Sequence, residues 1–239
     1  MTILIACINI EGKMHFDRVT KFIETHQPDV LCLQEIFEDD IKLFEKTHPY
    51  SKFAPHMSMN EIPKFGGGIR GIAIYSKHPF ESEVQYYVGS ISDGIPHEVS
   101  PDIDPRAVII TKIKKNNTVY AIATVHGMWT HMGLTTQPQK EGQQRLLAIL
   151  KNHPNLVLCG DFNAPRGKEV FTEFTNYFID NLPVHITSTL DPKLHKVKGL
   201  ITVVDTFFSR GNVEVSNVQV FEGVSDHKAL LATIKIKDN

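Results

Sequence analysis

Short apolar runs rich in β-branched residues recur along the whole chain: ILIACI, DVLCLQ, GIAIY, AVIITKI, TVYAIATV, NLVLCG, VVDTFF, VEVSNVQV and ALLATIKI. Runs of this length and type predict strands. Between some of them the apolar spacing becomes helical. FDRVTKFIETH places Phe16, Val19 and Ile23 on one face, and EGQQRLLAILKNH does the same with Leu146, Leu147 and Leu150, so two helices are expected to cover outer sheet faces. AVIITKIKKNNTVYAIATV reads as a hairpin, because Asn116 and Asn117 tolerate the left-handed backbone of a tight turn. Strands alternating with helices in both halves, together with such a hairpin, predict a two-sheet sandwich flanked by helices rather than a purely parallel sheet.

Polar residues end several apolar runs abruptly: Asn9 after LIACI, Gln34 and Glu35 after DVLCL, His126 after AIATV, Asp161 and Asn163 after NLVLCG. Strand ends project side chains into a shared rim, where a rigid scaffold can assemble them. Taken singly, each has an ordinary structural role. Asn9 can cap a turn, Glu35 can be a solvated strand end, His126 a satisfied core imidazole, and Asp161 the head of an Asx turn. Asp205 lies within VVDTFF, and a buried carboxylate seldom persists without a partner. Asp226 and His227 precede the final strand and read either as a cap or as a metal-and-phosphate pair.

Long loops are expected over 55–68, 89–106 and 127–139. Gly66–Gly68 is not followed by GK[ST], so it is a hinge rather than a phosphate-cradling loop. Trp129 and His131 in the third loop read equally as substrate contacts and as anchors of the loop. Arg106 reads equally as a phosphate contact and as a structural ion pair, whereas Arg145 belongs to a structural ion pair on a helix face.

At 239 residues with ordinary composition, one domain spanning 1–239 is expected. A net charge of −2 supplies no global basic field for gripping a long duplex. No apolar run spans a bilayer, and the opening residues lack a basic start and a cleavage site, so a cytoplasmic protein without stable membrane association is expected, a monomer by default. Cys7, Cys32 and Cys159 are odd in number and each sits in an apolar run, which predicts buried free thiols.

In order along the chain, Asn9, LQE with Glu35, GIAIYSKHPF, TVH with His126, GDFN with Asp161 and Asn163, VVDTFF with Asp205, and SDH ending at His227 resemble the endonuclease/exonuclease/phosphatase superfamily. Each motif is weak alone; the ordered set covers nearly the whole chain. The resemblance implies an α/β (α+β) fold, a four-layer sandwich of two mixed β-sheets flanked by helices. It also implies Mg²⁺, or Mn²⁺, held by Glu35 with Asn9 and Asp226 close by, as suits hard oxygen ligands. Asp161 would deprotonate the attacking water and Asn163 would hydrogen-bond the phosphate or nucleophile. His227, held by Asp205, would donate to a nonbridging phosphate oxygen, and His126 would be a second donor. Arg106 and Trp129 are the substrate-binding candidates.

The substrate expected first is a phosphate diester in single-stranded nucleic acid or a nucleotide. The alternatives are an inositol phosphate or lipid headgroup, and a catalytically silent binding protein on the same fold.

Overall fold

The computed structural model describes residues 1–59, 67–92, 94–97 and 104–237. Two six-stranded sheets pack face to face. One holds β1 (Thr2–Asn9), β2 (Val30–Phe37), β3 (Tyr50–Ser58), β4 (Ile69–Ser76), β11 (Val213–Phe221) and β12 (Ala229–Ile236), in the order β11-β12-β1-β2-β4-β3. The other holds β5 (Phe80–Val88), β6 (Arg106–Lys115), β7 (Thr118–His126), β8 (Leu156–Asp161), β9 (Ile179–Asp180) and β10 (Asp205–Arg210), in the order β5-β6-β7-β8-β10-β9.

Both sheets are mixed. β1 pairs in parallel with β2, and β7 with β8, while their other neighbours run antiparallel. A parallel pair cannot be closed by a tight turn, so each takes a helical crossover. Helix α1 (Phe16–His26) joins β1 to β2, and α3 (Gln137–Leu150) joins β7 to β8. Two shorter helices, α2 (Ile41–Glu45) and α4 (Glu169–Thr175), complete the outer layers.

Strand alternation sorts the core into three seams. Along β1, Ile3, Ile5 and Cys7 face the other sheet, where they meet Ile109, Ile122 and Phe207, while Ala6 and Ile8 turn outward to Val19, Phe22 and Ile23 of α1. On the far side, Leu146 and Leu150 of α3 and Phe171 and Phe174 of α4 pack on Leu158 and Phe208. Burying each such side chain stabilises the fold by about 1.5–3 kcal/mol.

The sandwich matches the sequence reading, with differences in detail. The three strands absent from the apolar runs, β3, β5 and β9, are all sheet edges. An edge strand can mix polar with apolar residues, as FESEVQYYV does in β5, and so shows no continuous apolar run. Pro55 therefore lies inside β3 rather than opening a loop. Helix α3 begins at Gln137, four residues before the expected Glu141, because the Thr136 side chain caps the Gln139 N–H and Pro138 occupies the first turn, where no N–H is needed. In the β6–β7 turn Asn116 takes the left-handed conformation (φ +54°) and Asn117 does not. Asp205 is the first residue of β10, with Val203 and Val204 preceding the strand. Gly66, with the rest of 60–66 and with 93 and 98–103 of the first two expected loops, lies outside the described residues.

Candidate active site

The two parallel pairs end side by side across the sandwich. In register, Asn9 of β1 lies beside Gln34 of β2, and His126 of β7 beside Asp161 of β8. Ligand sites form outside the carboxyl ends of parallel strands, and here two such ends share one opening. The cleft between them has a volume of about 480 Å³.

Glu35 is aimed by its backbone. It has φ +60°, unusual for a residue with a side chain, at a bulge where the β2–β4 register shifts between Gln34 and Ile36. The bulge takes Glu35 out of the strict alternation that keeps Gln34 in the core, where its amide donates to Thr124 Oγ1 across the sheets at 3.0 Å. Glu35 Oε1 accepts from Asn9 Nδ2 at 3.3 Å, and Oε2 pairs with Arg70 at 2.7 Å. Burial works to raise this carboxyl, but Arg70, with help from His227 and the Asn9 amide, leaves it below the usual range.

Asp161 is the hub. Its Oδ2 accepts from Asn9 Nδ2 at 3.1 Å and lies 3.5 Å from His126 Nε2 and 3.7 Å from His227 Nε2, while Oδ1 accepts the Asn163 N–H at 2.8 Å. That last bond is the Asx turn, so Asp161 serves the local turn and the site together. Burial, with the negative charge of Asp205, pushes its carboxyl up to about 7 against the pull of His227. Gly160 brings Asp161 into place, because β8 runs so close to β7 that a Cβ there would sit 2.0 Å from the Val125 carbonyl oxygen.

The histidines have opposite charge preferences. His227 Nδ1 contacts Asp205 at 2.9 and 3.1 Å. Burial opposes its charge, but Asp205 and Asp161 outweigh burial, so the imidazole titrates well above its ordinary value. His126 is held well below that value by burial, reinforced by Arg106, Arg70 and His227. One imidazole of the site thus favours its charged form and the other its neutral form.

Asn163 (φ +49°) lines the cleft and its amide donates to the Gly127 carbonyl at 3.2 Å. Asp226 also lines the cleft, and its carboxyl is raised by burial and by Glu11 and Glu35. Arg106 is buried there, 4.0 Å from Asp104, with no hydrogen-bond partner for its Nε among the described residues. Trp129 stands at the mouth, its ring 6.4 Å from that of His131. Arg145 stays outside the cleft lining and donates to the Tyr87 carbonyl at 2.6 Å, a hydrogen bond rather than the expected ion pair.

The structure also brings in residues that the sequence reading passed over: Arg70 on Glu35, and Glu11 with His15 and Lys196 beside Asp226. Arg70 precedes the apolar run of β4, and only the β2–β4 register, which pairs Phe37 with Arg70, places it by Glu35. Gln139 of α3 donates to the carbonyls of Met128 and Asn163, at 3.1 Å each, and ties together the loops after β7 and β8. Beneath the site, Cys7, Cys32 and Cys159 are free thiols in the inter-sheet core, two residues before Asn9, Gln34 and Asp161 respectively.

Two groups of described side chains converge closely enough to hold a metal ion: Asp161, Asp205 and His227, and Glu11, His15 and Asp226. In the first, His227 is committed to Asp205 and prefers its charged form, which is no ligand. The second group joins the carboxylates of Glu11 and Asp226 to the His15 imidazole, and of the three Asp226 lines the cleft, as Glu35 does.

The family model for the endonuclease/exonuclease/phosphatase family matches residues 7–227. Among solved structures, a protein of that family from Bacteroides vulgatus superposes with a TM-score of 0.72 at 17% identity, covering 99% of this chain and 100% of its own. The human Nocturnin catalytic domain with bound sulfate gives 0.69 at 17% identity, covering 99% and 95%. A mannosyl-6-phosphatase from Bacteroides thetaiotaomicron gives 0.68 at 14% identity, covering 98% and 99%. No curated protein sequence matches the chain.

Proposed function

Because the chain belongs to the endonuclease/exonuclease/phosphatase family, we propose that it hydrolyses a phosphate ester by direct attack of water, with Mg²⁺ or Mn²⁺ held by Glu35 and Asp226 and joined by Glu11. Their carboxylate oxygens suit such an ion, and a dication there would offset what raises Asp226, burial first and then the charges of Glu11 and Glu35. When bound, the ion would neutralise charge on the phosphate and on the leaving oxygen.

The observation that carries the reading is Asp161: a carboxyl pushed to about 7, beside two imidazoles and an amide, is suited to take a proton from water near neutral pH. The water oxygen forms the new bond to phosphorus, its proton passes to Asp161, and the ester P–O bond breaks, the leaving oxygen taking a proton from solvent and Asp161 returning its own to solvent. His227, charged and fixed through Nδ1 by Asp205, presents Nε2–H to a nonbridging oxygen, where negative charge accumulates. Asn9 steers Asp161 and Glu35 together through one amide group. Neutral His126 and the Nε of Arg106, which has no hydrogen-bond partner among the described residues, are further donors for phosphate oxygens, and Asn163 stands beside the base. No covalent enzyme intermediate is needed.

The first substrates to assay are phosphodiesters, nucleotides and short single strands among them, against monoesters, with Mg²⁺, with Mn²⁺ and with chelator. Metal-dependent turnover is expected, abolished in Asp161→Asn and in His227→Ala with the circular dichroism spectrum unchanged. Full activity in either variant would refute the assignment.

A further inference from the structure

The depth and the mouth of the cleft differ in chemistry. Carboxylates, imidazoles and amides converge at depth, whereas Trp129 and Met132, on the loop after β7, and Val197 and Leu200, on the loop before β10, line the mouth. Trp129 is 52% exposed, Met132 61% and Val197 49%. Single apolar side chains on a surface need no explanation, but a group of them around one opening marks a binding surface.

The charges in the cleft point the same way. Arg70, Arg106 and Lys196 are the lysine and arginine side chains among the described residues lining it. Arg70 is paired with Glu35 at 2.7 Å, Lys196 with Glu11, and Arg106 faces Asp104 at 4.0 Å. A strand with one negative charge per nucleotide is held by cations in surplus along its path. Here each cation is matched by a carboxylate, and the chain as a whole carries −2. The cleft volume of about 480 Å³ is that of a small-molecule site.

We infer that the substrate is a small ester with one phosphate at the catalytic centre and, on the side of the phosphate away from the leaving group, a flat aromatic or apolar group packed between Trp129–Met132 and Val197–Leu200, not a nucleic-acid strand. The hydrolysis rests on the function proposed above; the selectivity rests on the mouth.

The test compares phenyl p-nitrophenyl phosphate with methyl p-nitrophenyl phosphate in the metal-loaded enzyme. Both release p-nitrophenolate, so the chemical step is matched and only the second substituent differs. The phenyl diester should show a KM at least about tenfold lower, and Trp129→Ala or Val197→Asp should shrink that ratio to about twofold. Equal KM values would overturn the inference and leave the hydrolytic reading standing, and so would a single-stranded oligothymidylate cleaved in preference to the phenyl diester.

Turnover of no ester would instead remove the hydrolytic reading, and Trp129 fluorescence then decides the inference, since it is the chain's only tryptophan. A saturable change with phenylphosphonate, at concentrations where methylphosphonate gives none, would support it; identical responses would overturn it.

Discussion

Gly160→Ala tests whether the closeness of β7 and β8 is what positions the site. An alanine Cβ would lie 2.0 Å from the Val125 carbonyl oxygen, where ordinary contact begins at 3.4 Å, so the strands would have to part by more than an ångström. The backbone adds strain, because φ is +150° there. Overpacking of this kind costs about 1–3 kcal/mol, and a conformation natural only to glycine costs about 1–3 kcal/mol more. For a chain of this size each kcal/mol lowers Tm by about 2–4 °C, so a fall on the order of 5–20 °C is expected.

The displacement falls on the pair His126 and Asp161, the next step of the same ladder. A shift of about 1 Å in such groups costs on the order of a hundredfold in turnover. Gly167→Ala is the control: its φ is +85° and nothing lies within 4 Å of the added Cβ, so it carries only a backbone cost of about 1 kcal/mol. Thermal unfolding and kcat would be measured for both variants. A Gly160→Ala protein with wild-type turnover, or with a Tm no lower than that of Gly167→Ala, would refute the reasoning.

Asp205→Asn removes the group that keeps His227 charged, and the imidazole, followed by NMR in chelator, should titrate at lower pH. A raised folded-state value gives stability that is fully present below the unfolded imidazole value of about 6.5 and lost as pH rises through the folded value, so the variant's stability deficit should be larger at acid than at alkaline pH. Burial holds His48, which is outside the cleft lining, below its ordinary value, so the unfolded chain takes up that proton first and stability falls as pH drops below about 6.5. His48→Gln should make that decline shallower, and an unchanged slope of Tm between pH 7 and pH 5, bracketing that value, would contradict the assignment. Gln139→Leu leaves the Met128 and Asn163 carbonyls without their donor, at about 1–3 kcal/mol each, and should lower both the denaturant midpoint and kcat. Loss of stability with kcat intact would mean that the two loops do not depend on this tie.

The site was legible wherever a polar residue ends an apolar run on a central strand. Asn9, His126 and Asp161 stand out as the polar last residues of β1, β7 and β8, and Glu35 as a charge that breaks the apolar run of β2 at its bulge. Arg70 gave no such signal. It sits at the half-buried start of β4, and its partnership with Glu35 depends on a bulge and a register that no local pattern encodes. Glu11 and Lys196 are likewise joined by the path of a loop between β9 and β10, whose sequence has neither period. The edge strands β3, β5 and β9 were hidden for the converse reason, since an edge need not be continuously apolar.

The three thiols under the site give it a built-in clock. Cys7, Cys32 and Cys159 are shut away between the sheets, and burial pushes the thiols of Cys7 and Cys159 up, away from the reactive thiolate. A reagent can reach them only when the sandwich parts beneath Asn9, Gln34 and Asp161, the same opening that would let bulk water in behind the hub carboxylate. The rate of thiol labelling in the native protein therefore counts how often the catalytic end comes apart, and a bound substrate analogue that clamps the two sheets together should slow that count without touching a cysteine.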